Sequence, residues 1–405
     1  MVAEGTSKRT YERTHPWITY GPIDLEKAPY DLWLQLGEAQ SKVEHIAGVP
    51  LRPDMEKELQ MVYLVKGTHA TTAIEGNSLT EEQVRARVEG RLQLPKSQEY
   101  LGKEIDNIIN GYNAITEKLL SGPDVGIAAT EISHYDRQVL EGLELDDALA
   151  PGTYRRHEVT VGHYRGAPPQ DVEYLTDRLC AWLNSSQFRA PTADLDVAYA
   201  IIKAVVAHVY LAWIHPFADG NGRTARLLEF RILVSSGVPL PAAHLLSNHY
   251  NLTRTDYYRQ LDRTSRPNGG DLMPFLCYAI RGFVDQLREQ IQLIKTQQWD
   301  VTWRSFVHQQ FEGLHGETHA RRRHLVLDLS QRDKPVMRSQ LREVSPRVAT
   351  DYAGRTDKTL TRDLNELVRM KLVLRTPGGY EANRGAILAF LPARASREVP
   401  LVPFE

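Results

Sequence analysis

The longest apolar stretch of the chain, residues 197–214, most strongly constrains the fold. As a helix it would be about as long as a bilayer is thick, because a helix rises about 1.5 Å per residue. Lys203 and His208 interrupt the stretch, however, and its repeated alanines suit close packing against other helices. We therefore expect a buried central helix and no membrane-spanning segment.

Helical periodicity extends over most of the first 300 residues. Apolar residues recur at three- and four-residue spacing in the segments 55–65, 101–119, 172–183, 223–234 and 272–297. Thr80 and Gln83 form a predicted capping box at the start of one helix. Strand signals are scarce, and the best one, residues 157–161 followed by Gly162, predicts a short hairpin. The polar, proline-containing first 30 residues predict an extended arm.

The last 90 residues differ in charge and in pattern. Residues 316–405 contain 17 Lys and Arg against 11 Asp and Glu. Helical runs around Leu325 and Leu341 and at 356–364 precede a strand, a tight turn at Gly378-Gly379 and a second strand, the order of a winged helix-turn-helix module. We expect four segments: an N-terminal arm (1–50), a helical region (51–125), a helical core (126–300), and a linker helix with a winged-helix domain (301–405).

Composition narrows the functional classes. With 49 Lys and Arg against 51 Asp and Glu, the net charge of −2 gives the whole chain no electrostatic preference for nucleic acid. Cys180 and Cys277 are too few for a disulfide framework or a thiolate metal cluster, so a reducing compartment is expected. The first ten residues lack the apolar run of a signal peptide, which favours the cytoplasm.

The segment with the strongest chemical signal is 215–226, His-Pro-Phe-Ala-Asp-Gly-Asn-Gly-Arg-Thr-Ala-Arg. Gly220 and Gly222 allow the backbone to approach phosphate oxygens, and a helix that starts near Asn221 directs free N–H groups at an anion. Arg223 and Arg226 share a helix face on which guanidinium groups can hold successive phosphates.

Two further residues of this segment complete a nucleotide chemistry. Asp219 is a hard anionic ligand that suits Mg²⁺ on phosphate oxygens, and His215 can accept a proton from an attacking hydroxyl. Pro216 predicts an extended conformation for His215, and Phe217 is predicted to lie in the core. A P-loop and a kinase His-Arg-Asp motif are absent from the sequence, and His157-Glu158 lacks the second histidine of a zinc-protease helix.

Residues 215–226 match without departure the pattern His-x-Phe-x-(Asp/Glu)-Gly-Asn-Gly-Arg-x-x-Arg of the Fic (filamentation-induced-by-cyclic-AMP) family, which the chain resembles over about residues 55–285. Residues 155–170 resemble the family's target-docking flap, and Tyr257-Tyr258 resembles a tyrosine pair near its nucleotide pocket. Residues 71–77, Thr-Thr-Ala-Ile-Glu-Gly-Asn, match its inhibitory motif Ser/Thr-x-x-x-Glu-Gly/Asn. The resemblance implies a mainly α protein, a Fic-type helical bundle with a short β-hairpin flap, followed by a small α+β winged-helix domain.

The resemblance also implies an activity: transfer of AMP from ATP to a Ser, Thr or Tyr hydroxyl of a protein, self-modification included. His215 would deprotonate the hydroxyl, and Asp219 would hold Mg²⁺. Asn221 and the amides beside it would bind the α-phosphate. Arg223 and Arg226 would neutralise the leaving β- and γ-phosphates.

The inhibitory motif makes Thr71 and Glu75 regulatory candidates. A Glu75 carboxylate paired with Arg226 would occupy the place of the γ-phosphate, so that ATP binds in a pose unfit for attack. The alternative is a solvated residue at a helix end. The flap, residues 159–163 with Val161 at the pocket, either adds an extended target strand or covers the pocket.

Other assignments stay open at this stage. Tyr257 and Tyr258 either contact the adenine or ribose or belong to the core of an amphipathic helix. The same site could instead remove AMP from a modified protein by hydrolysis. The basic tail is compatible with a DNA-binding regulator in which the Fic core acts as a nucleotide sensor, and equally with a dimerisation or target-docking module. Relatives often form homodimers, which makes one an expectation here.

Overall fold

The computed structural model describes residues 8–122, 124–146, 149–162, 164–265 and 270–390. It is mainly helical, as the sequence predicts, and it divides into two compact units between Gln292 and Leu293. The elements that precede this division are α1 (Thr10–Thr14), α2 (Tyr30–Gly48), α3 (Pro53–Ile74), α4 (Glu81–Val88), α5 (Glu99–Ser121), α6 (Ala129–Val139), β1 (Thr160–Val161), β2 (Tyr164–Arg165), α7 (Val172–Leu183), α8 (Asp196–Ile214), α9 (Asn221–Ser235), α10 (Leu240–Ala243), α11 (Leu245–Leu252) and α12 (Arg254–Ser265). Helix α13 (Met273–Gln310) crosses the division.

Helix α8 is the central element of the first unit. It packs along α9 and also against α2 and α7. By length and composition it could span a membrane, but 83% of its most apolar window is buried inside the protein. The predicted buried central helix is therefore confirmed, and its C-terminal end delivers the chain into the segment 215–220.

Helix α3, which carries the inhibitory motif, is embedded in the first unit rather than attached to its surface. It packs on α5, α10 and α11 and buries Leu59, Tyr63 and Ala70. At Gly67 the packing is so close that a β-carbon would lie 2.4 Å from Nδ1 of His244. The helix as a whole is therefore a fixed part of the core.

Residues 8–50 of the predicted N-terminal arm, of which the first 30 were expected to be extended, instead lie on the helical body. Helix α2 packs on α8. Upstream of it, the Tyr20 hydroxyl donates to the Leu175 carbonyl at 2.7 Å, and the Tyr210 hydroxyl donates to the Thr19 carbonyl. The polar composition did not reveal these contacts because their partners lie more than 150 positions away. Residues 1–7 of the predicted arm lie outside the described residues.

The second unit has its own core. Helices α14 (Glu317–Leu329), α15 (Pro346–Tyr352) and α16 (Asp357–Arg369) are followed by strands β3 (Val373–Thr376) and β4 (Gly379–Ala382), which pair antiparallel. Trp303, Leu325 and Leu364 are among its buried residues. The order of helices and hairpin agrees with the predicted one, while the winged-helix assignment stays a prediction. Residues 391–405 of the predicted domain lie outside the described residues.

Candidate functional site

The loop between α8 and α9 begins with His215 in an unusual backbone conformation. Its φ is +50° and its ψ 63°, in the left-handed region, so the extended conformation expected from Pro216 is wrong. The His215 N–H still donates to the Leu211 carbonyl at 2.8 Å, which keeps the residue on the end of α8. A non-glycine residue in this region is strained and is retained where its surroundings determine it.

Arg155 supplies those surroundings, and the sequence had shown it only as the start of the flap. Its side chain is buried, and it donates to backbone carbonyls at the start of the loop and just after the flap hairpin. Nε donates to His215 at 2.6 Å, and Nη2 donates to Ala167 at 2.5 Å and to Ile214 at 3.2 Å. Its backbone N–H donates to the Pro216 carbonyl at 3.0 Å. Arg155 therefore fixes the position from which the His215 ring projects.

Asn221 holds the middle of the loop through its side-chain amide. Oδ1 accepts from the Phe217 N–H and Nδ2 donates to the Phe217 carbonyl, both at 2.9 Å. Phe217 itself is buried, as predicted. The side chain predicted to contact the α-phosphate is thus engaged in shaping the loop, and its role toward a nucleotide stays a prediction.

The start of α9 has the features of an anion site. Gly220 adopts φ +78°, and a β-carbon there would lie 2.7 Å from Oδ2 of Asp136. The free N–H groups of the first turn belong to a 15-residue helix, Asn221–Ser235, whose dipole favours negative charge at this end. The Asp219 side chain is half exposed. Its Oδ1 accepts from the Gly220 N–H at 2.6 Å and lies 3.5 Å from Nη2 of Arg223.

Arg226 connects this helix to the inhibitory motif. Its side chain is fully buried, with Nε donating to Thr71 Oγ1 at 2.6 Å and Nη2 donating to the Thr71 carbonyl at 2.9 Å and to Glu75 Oε1 at 2.6 Å. Nη1 has no hydrogen-bond partner among the described residues. Burial raises the pKa of the Glu75 carboxyl, but the charge and hydrogen bond of Arg226 outweigh this effect. The net pKa is lowered, so the carboxylate stays ionised.

Arg223, the other arginine of the motif, also forms an ion pair with a carboxylate from the N-terminal helices. Its Nη1 donates to Oε1 of Glu104 at 3.1 Å, and Oε2 of Glu104 accepts from the Asn77 amide at 2.7 Å. No sequence pattern indicates Glu104, which lies on α5 outside both motifs. The end of the inhibitory motif and Arg223 are therefore joined through one side chain.

The His215 ring is held neutral. Burial lowers its pKa to about 4, and the charge of the nearby Arg155 guanidinium contributes to the shift. A hydrogen bond with the Ala212 backbone and the charges of Glu75 and Asp219 act in the opposite direction but are weaker. A neutral imidazole can accept a proton at pH 7. The site thus combines a proton acceptor, an anion-binding helix start and two buried guanidinium groups.

Comparison with known proteins agrees with this geometry. The sequence model of the Fic/DOC family matches residues 128–233, which include the whole loop and the start of α9. This chain is a Fic-domain protein. It is similar to protein adenylyltransferase fic-1 of Caenorhabditis briggsae, 30% identical over 293 residues, and to that of Caenorhabditis elegans, 31% identical over 287 residues. These alignments take in 71% and 70% of this chain but 51% and 50% of the relatives, so the chain spans about half their length.

Solved structures show the same fold. Fic-1 from Caenorhabditis elegans (residues 134–508) aligns with a TM-score of 0.53 at 27% identity, over 65% of this chain and 73% of that one. A Fic family protein from Desulfovibrio desulfuricans G20 aligns with a TM-score of 0.55 at 20% identity, over 93% of this chain and 99% of its own. The mainly helical Fic fold is thereby confirmed.

The predicted short hairpin of the flap is present in the Fic domain. Strands β1 and β2 contain two residues each, with Thr160 opposite Arg165 and Val161 opposite Tyr164. The Tyr164 hydroxyl donates to the Trp213 carbonyl at 2.8 Å, which ties the hairpin to the end of α8 beside the loop. Val161 is half exposed, and its predicted contact with nucleotide stays a prediction. His163, the last residue of the predicted flap, lies outside the described residues.

The two tyrosines of α12 lie outside residues 128–233, which the Fic/DOC family model matches, and they have different surroundings. Tyr257 is buried: its hydroxyl lies 2.8 Å from Nε2 of His208, and its ring stacks on Tyr250. Burial raises the pKa of its phenol. Tyr258 is partly exposed, and its hydroxyl donates to the Ile74 carbonyl at 3.2 Å. The structure places Tyr257 in the core and Tyr258 at the end of the inhibitory helix, and their contact with adenine or ribose stays a prediction.

Asp136 is a buried acid of the Fic domain that the sequence did not indicate. Oδ1 accepts from the Gly152 N–H at 2.7 Å, while Oδ2 has no hydrogen-bond partner among the described residues. Burial, with a contribution from Asp219, raises its pKa to about 7. The carboxyl lies directly beneath Gly220, so its charge acts on the backbone of the anion site.

Proposed function

We propose that this chain is an autoinhibited protein adenylyltransferase, which transfers AMP from ATP to a Ser, Thr or Tyr hydroxyl of a protein, its own chain included. The observation that carries the proposal is the buried Arg226 guanidinium, which pairs with Glu75 through Nη2 and leaves Nη1 without a partner among the described residues. A buried cation beside a helix start is suited to a triphosphate. That the fic-1 relatives are named protein adenylyltransferases supports the same reaction.

The reaction assigned to His215 is proton transfer. The hydroxyl oxygen of the target bonds to the α-phosphorus, and the bond from that phosphorus to the bridging oxygen breaks. Pyrophosphate leaves, and the hydroxyl proton passes to the imidazole. The lowered pKa of His215 keeps the ring ready to accept that proton. Most of the remaining catalysis is positioning and charge stabilisation, in which a single lost donor slows the reaction by about 10²–10³-fold.

The residues present fit a magnesium ion that is held mainly by phosphates. Among the described residues there is no cluster of three His, Cys, Asp or Glu side chains that could hold a metal alone. Asp219 offers a half-exposed carboxylate at the anion site, and Mg²⁺ commonly takes one or two carboxylates with substrate phosphates and water. Bound there, the ion would supply positive charge for the phosphates.

Glu75 blocks the site both by charge and by volume. It neutralises Arg226 in the position that a γ-phosphate would use. Its Oε1 also lies over the first turn of α9, so close that a β-carbon on Gly222 would be 2.1 Å away. A phosphate group cannot share that space with the carboxylate. The chain is therefore expected to show low activity as purified.

Transfer of the α-phosphate of ATP tests the proposal. Glu75→Gly incubated with Mg-ATP should acquire label from α-labelled but not from γ-labelled ATP, since AMP rather than phosphate is transferred. Adding His215→Ala should abolish labelling, whereas adding His134→Ala, at an exposed histidine of the same domain, should not. No labelling of the chain or of added protein by Glu75→Gly would refute the proposal. Loss of AMP from an AMP-modified protein, faster in wild type than in Glu75→Gly, would instead favour the hydrolase.

The second unit supports a separate proposal, contact with DNA. Lys358, Arg362 and Arg369 lie along one face of α16 and, with Arg322, line an open groove of about 620 Å³. Basic side chains along a helix are suited to phosphate contacts, whose binding weakens steeply with salt. In the full chain, Lys358→Ala with Arg362→Ala should weaken binding to duplex DNA and reduce the salt slope by about 2. An unchanged slope, or no binding at low salt, would favour protein docking.

A further inference from the structure

The carbonyl of Ile74, the last residue of helix α3, is bound from another helix. The guanidinium of Arg254 donates to it through Nη2 at 2.5 Å, and the Tyr258 hydroxyl donates to it at 3.2 Å. Both donors belong to α12. The last carbonyls of a helix have no partner within it and need one from elsewhere. The residue that follows, Glu75, is the one that reaches Arg226.

Only a short turn is free to change around this contact. The body of α3 is packed in the core, with Gly67 against His244. On the other side, Asn77 is anchored, with its amide donating to the Leu101 carbonyl at 3.0 Å and its Oδ1 accepting from the Leu79 N–H at 3.1 Å. Between these anchors, residues 75 and 76 are exposed, and Gly76 has φ +103°.

We propose that Arg254 is a positioning residue for the autoinhibition: by binding the Ile74 carbonyl, it holds the turn in the conformation that directs Glu75 at Arg226. Without this contact the turn moves between its two anchors, and the Glu75 carboxylate leaves the guanidinium without α3 moving. The inference rests on the proposed function and names a residue outside the Fic motif and the inhibitory motif.

The environment of Arg254 supports this role. The residue is exposed, and the described residues provide no carboxylate partner for it, so its charge is used on a backbone carbonyl. A charged donor makes a stronger hydrogen bond than a neutral one. Arg259, five residues later on the same helix, pairs with Asp256 at 2.7 Å between Nη2 and Oδ1 and is 67% exposed, and so offers a matched control.

Backbone amide exchange tests the positioning independently of activity. The N–H groups of Glu75, Gly76 and Asn77 donate to carbonyls of the last turn of α3. In Arg254→Ala the segment 75–77 should exchange about tenfold faster than in wild type, because one charge-assisted hydrogen bond is lost. Arg254→Lys, which keeps a donor, should restore slow exchange, and Arg259→Ala should not differ from wild type. Unchanged exchange in Arg254→Ala would overturn the inference.

AMP incorporation tests the regulatory consequence. Arg254→Ala should raise it severalfold while Glu75 is present and should add nothing in the Glu75→Gly background. A decrease in both backgrounds would assign Arg254 to substrate binding and overturn the inference, as would no increase alongside an active Glu75→Gly. If Glu75→Gly itself is inactive, the proposed function fails, and the exchange measurement alone then decides whether Arg254 positions the turn.

Discussion

Replacing Glu75 by glycine removes the carboxylate from a fully buried guanidinium. Arg226 has 0% of its side chain exposed, and Glu75 34%. Removing one partner of a wholly buried pair destabilises a protein by about 3–5 kcal/mol, whereas exposed pairs contribute about 0–1 kcal/mol. Because Glu75 is a third exposed and Arg226 keeps both acceptors of Thr71, we expect a loss of about 1–3 kcal/mol.

The sequence provides a control for the backbone effect of glycine. Glu75 follows the end of α3 with φ −87° and ψ 3°, and Glu89 follows the end of α4 with φ −81° and ψ 1°. Among the described residues, Glu89 pairs with Arg85 and Arg91, whose side chains are 39% and 67% exposed. Glu89→Gly therefore reproduces the change in backbone freedom while it leaves Arg226 untouched.

The γ-phosphate of a bound nucleotide should stabilise Glu75→Gly but not the wild type. In Glu75→Gly the γ-phosphate of ATP can reach Arg226, so Mg-ATP should raise the melting temperature more than Mg-ADP does. In wild type and Glu89→Gly the carboxylate occupies Arg226, so the two nucleotides should give equal shifts. At about 2–4 °C per kcal/mol, the loss without nucleotide should be several degrees in a thermal unfolding scan. Equal melting temperatures for Glu75→Gly and Glu89→Gly, with equal ATP and ADP shifts in both, would refute the reasoning.

Three further outcomes follow from the site. Gly222→Ala should lower the melting temperature in wild type but much less in Glu75→Gly, because its β-carbon would lie 2.1 Å from Glu75 Oε1; equal losses in both backgrounds would contradict this contact. Asp136 has a pKa raised from 3.8 to about 7, so its neutral form is favoured by folding and stability is lost as pH rises through that interval. The melting temperature of Asp136→Asn relative to wild type should accordingly increase between pH 4 and 7 and then level off, and a constant difference would exclude the titration. Since the pKa of His215 is about 4, kcat/KM for AMP transfer by Glu75→Gly should be constant from pH 6 to 8. An inflection near pH 6.5 would show that the proton acceptor does not have this lowered pKa.

The parts of the site that could be predicted are those whose residues lie close together in the sequence. The glycines and arginines of 215–226 lie at the start of α9, and Glu75 pairs with Arg226 as the inhibitory motif suggested. Each depends on a helix boundary and a side-chain type, which local spacing reveals. The central helix was predictable for the same reason, since length and alanine content suffice to indicate burial.

The parts that could not be predicted depend on long-range contacts with the backbone. Arg155 and Arg254 bind carbonyl groups, which every residue possesses, so no pattern marks the pairing. Glu104 lies far from Arg223 in the sequence, and its role appears only when α5 and α9 are packed together. The left-handed conformation of His215 is likewise set by Arg155 across the loop, against the local preference before proline.

A crystal structure of Glu75→Gly with Mg²⁺ and a non-hydrolysable ATP analogue, beside the same complex of the wild type, most directly tests whether Glu75 and a triphosphate compete for one cation. The account predicts a γ-phosphate oxygen within hydrogen-bonding distance of Arg226 in the variant, and in the wild type Glu75 still bound there, as at 2.6 Å in the present structure. A γ-phosphate in the same place in both proteins, away from Arg226, would contradict it.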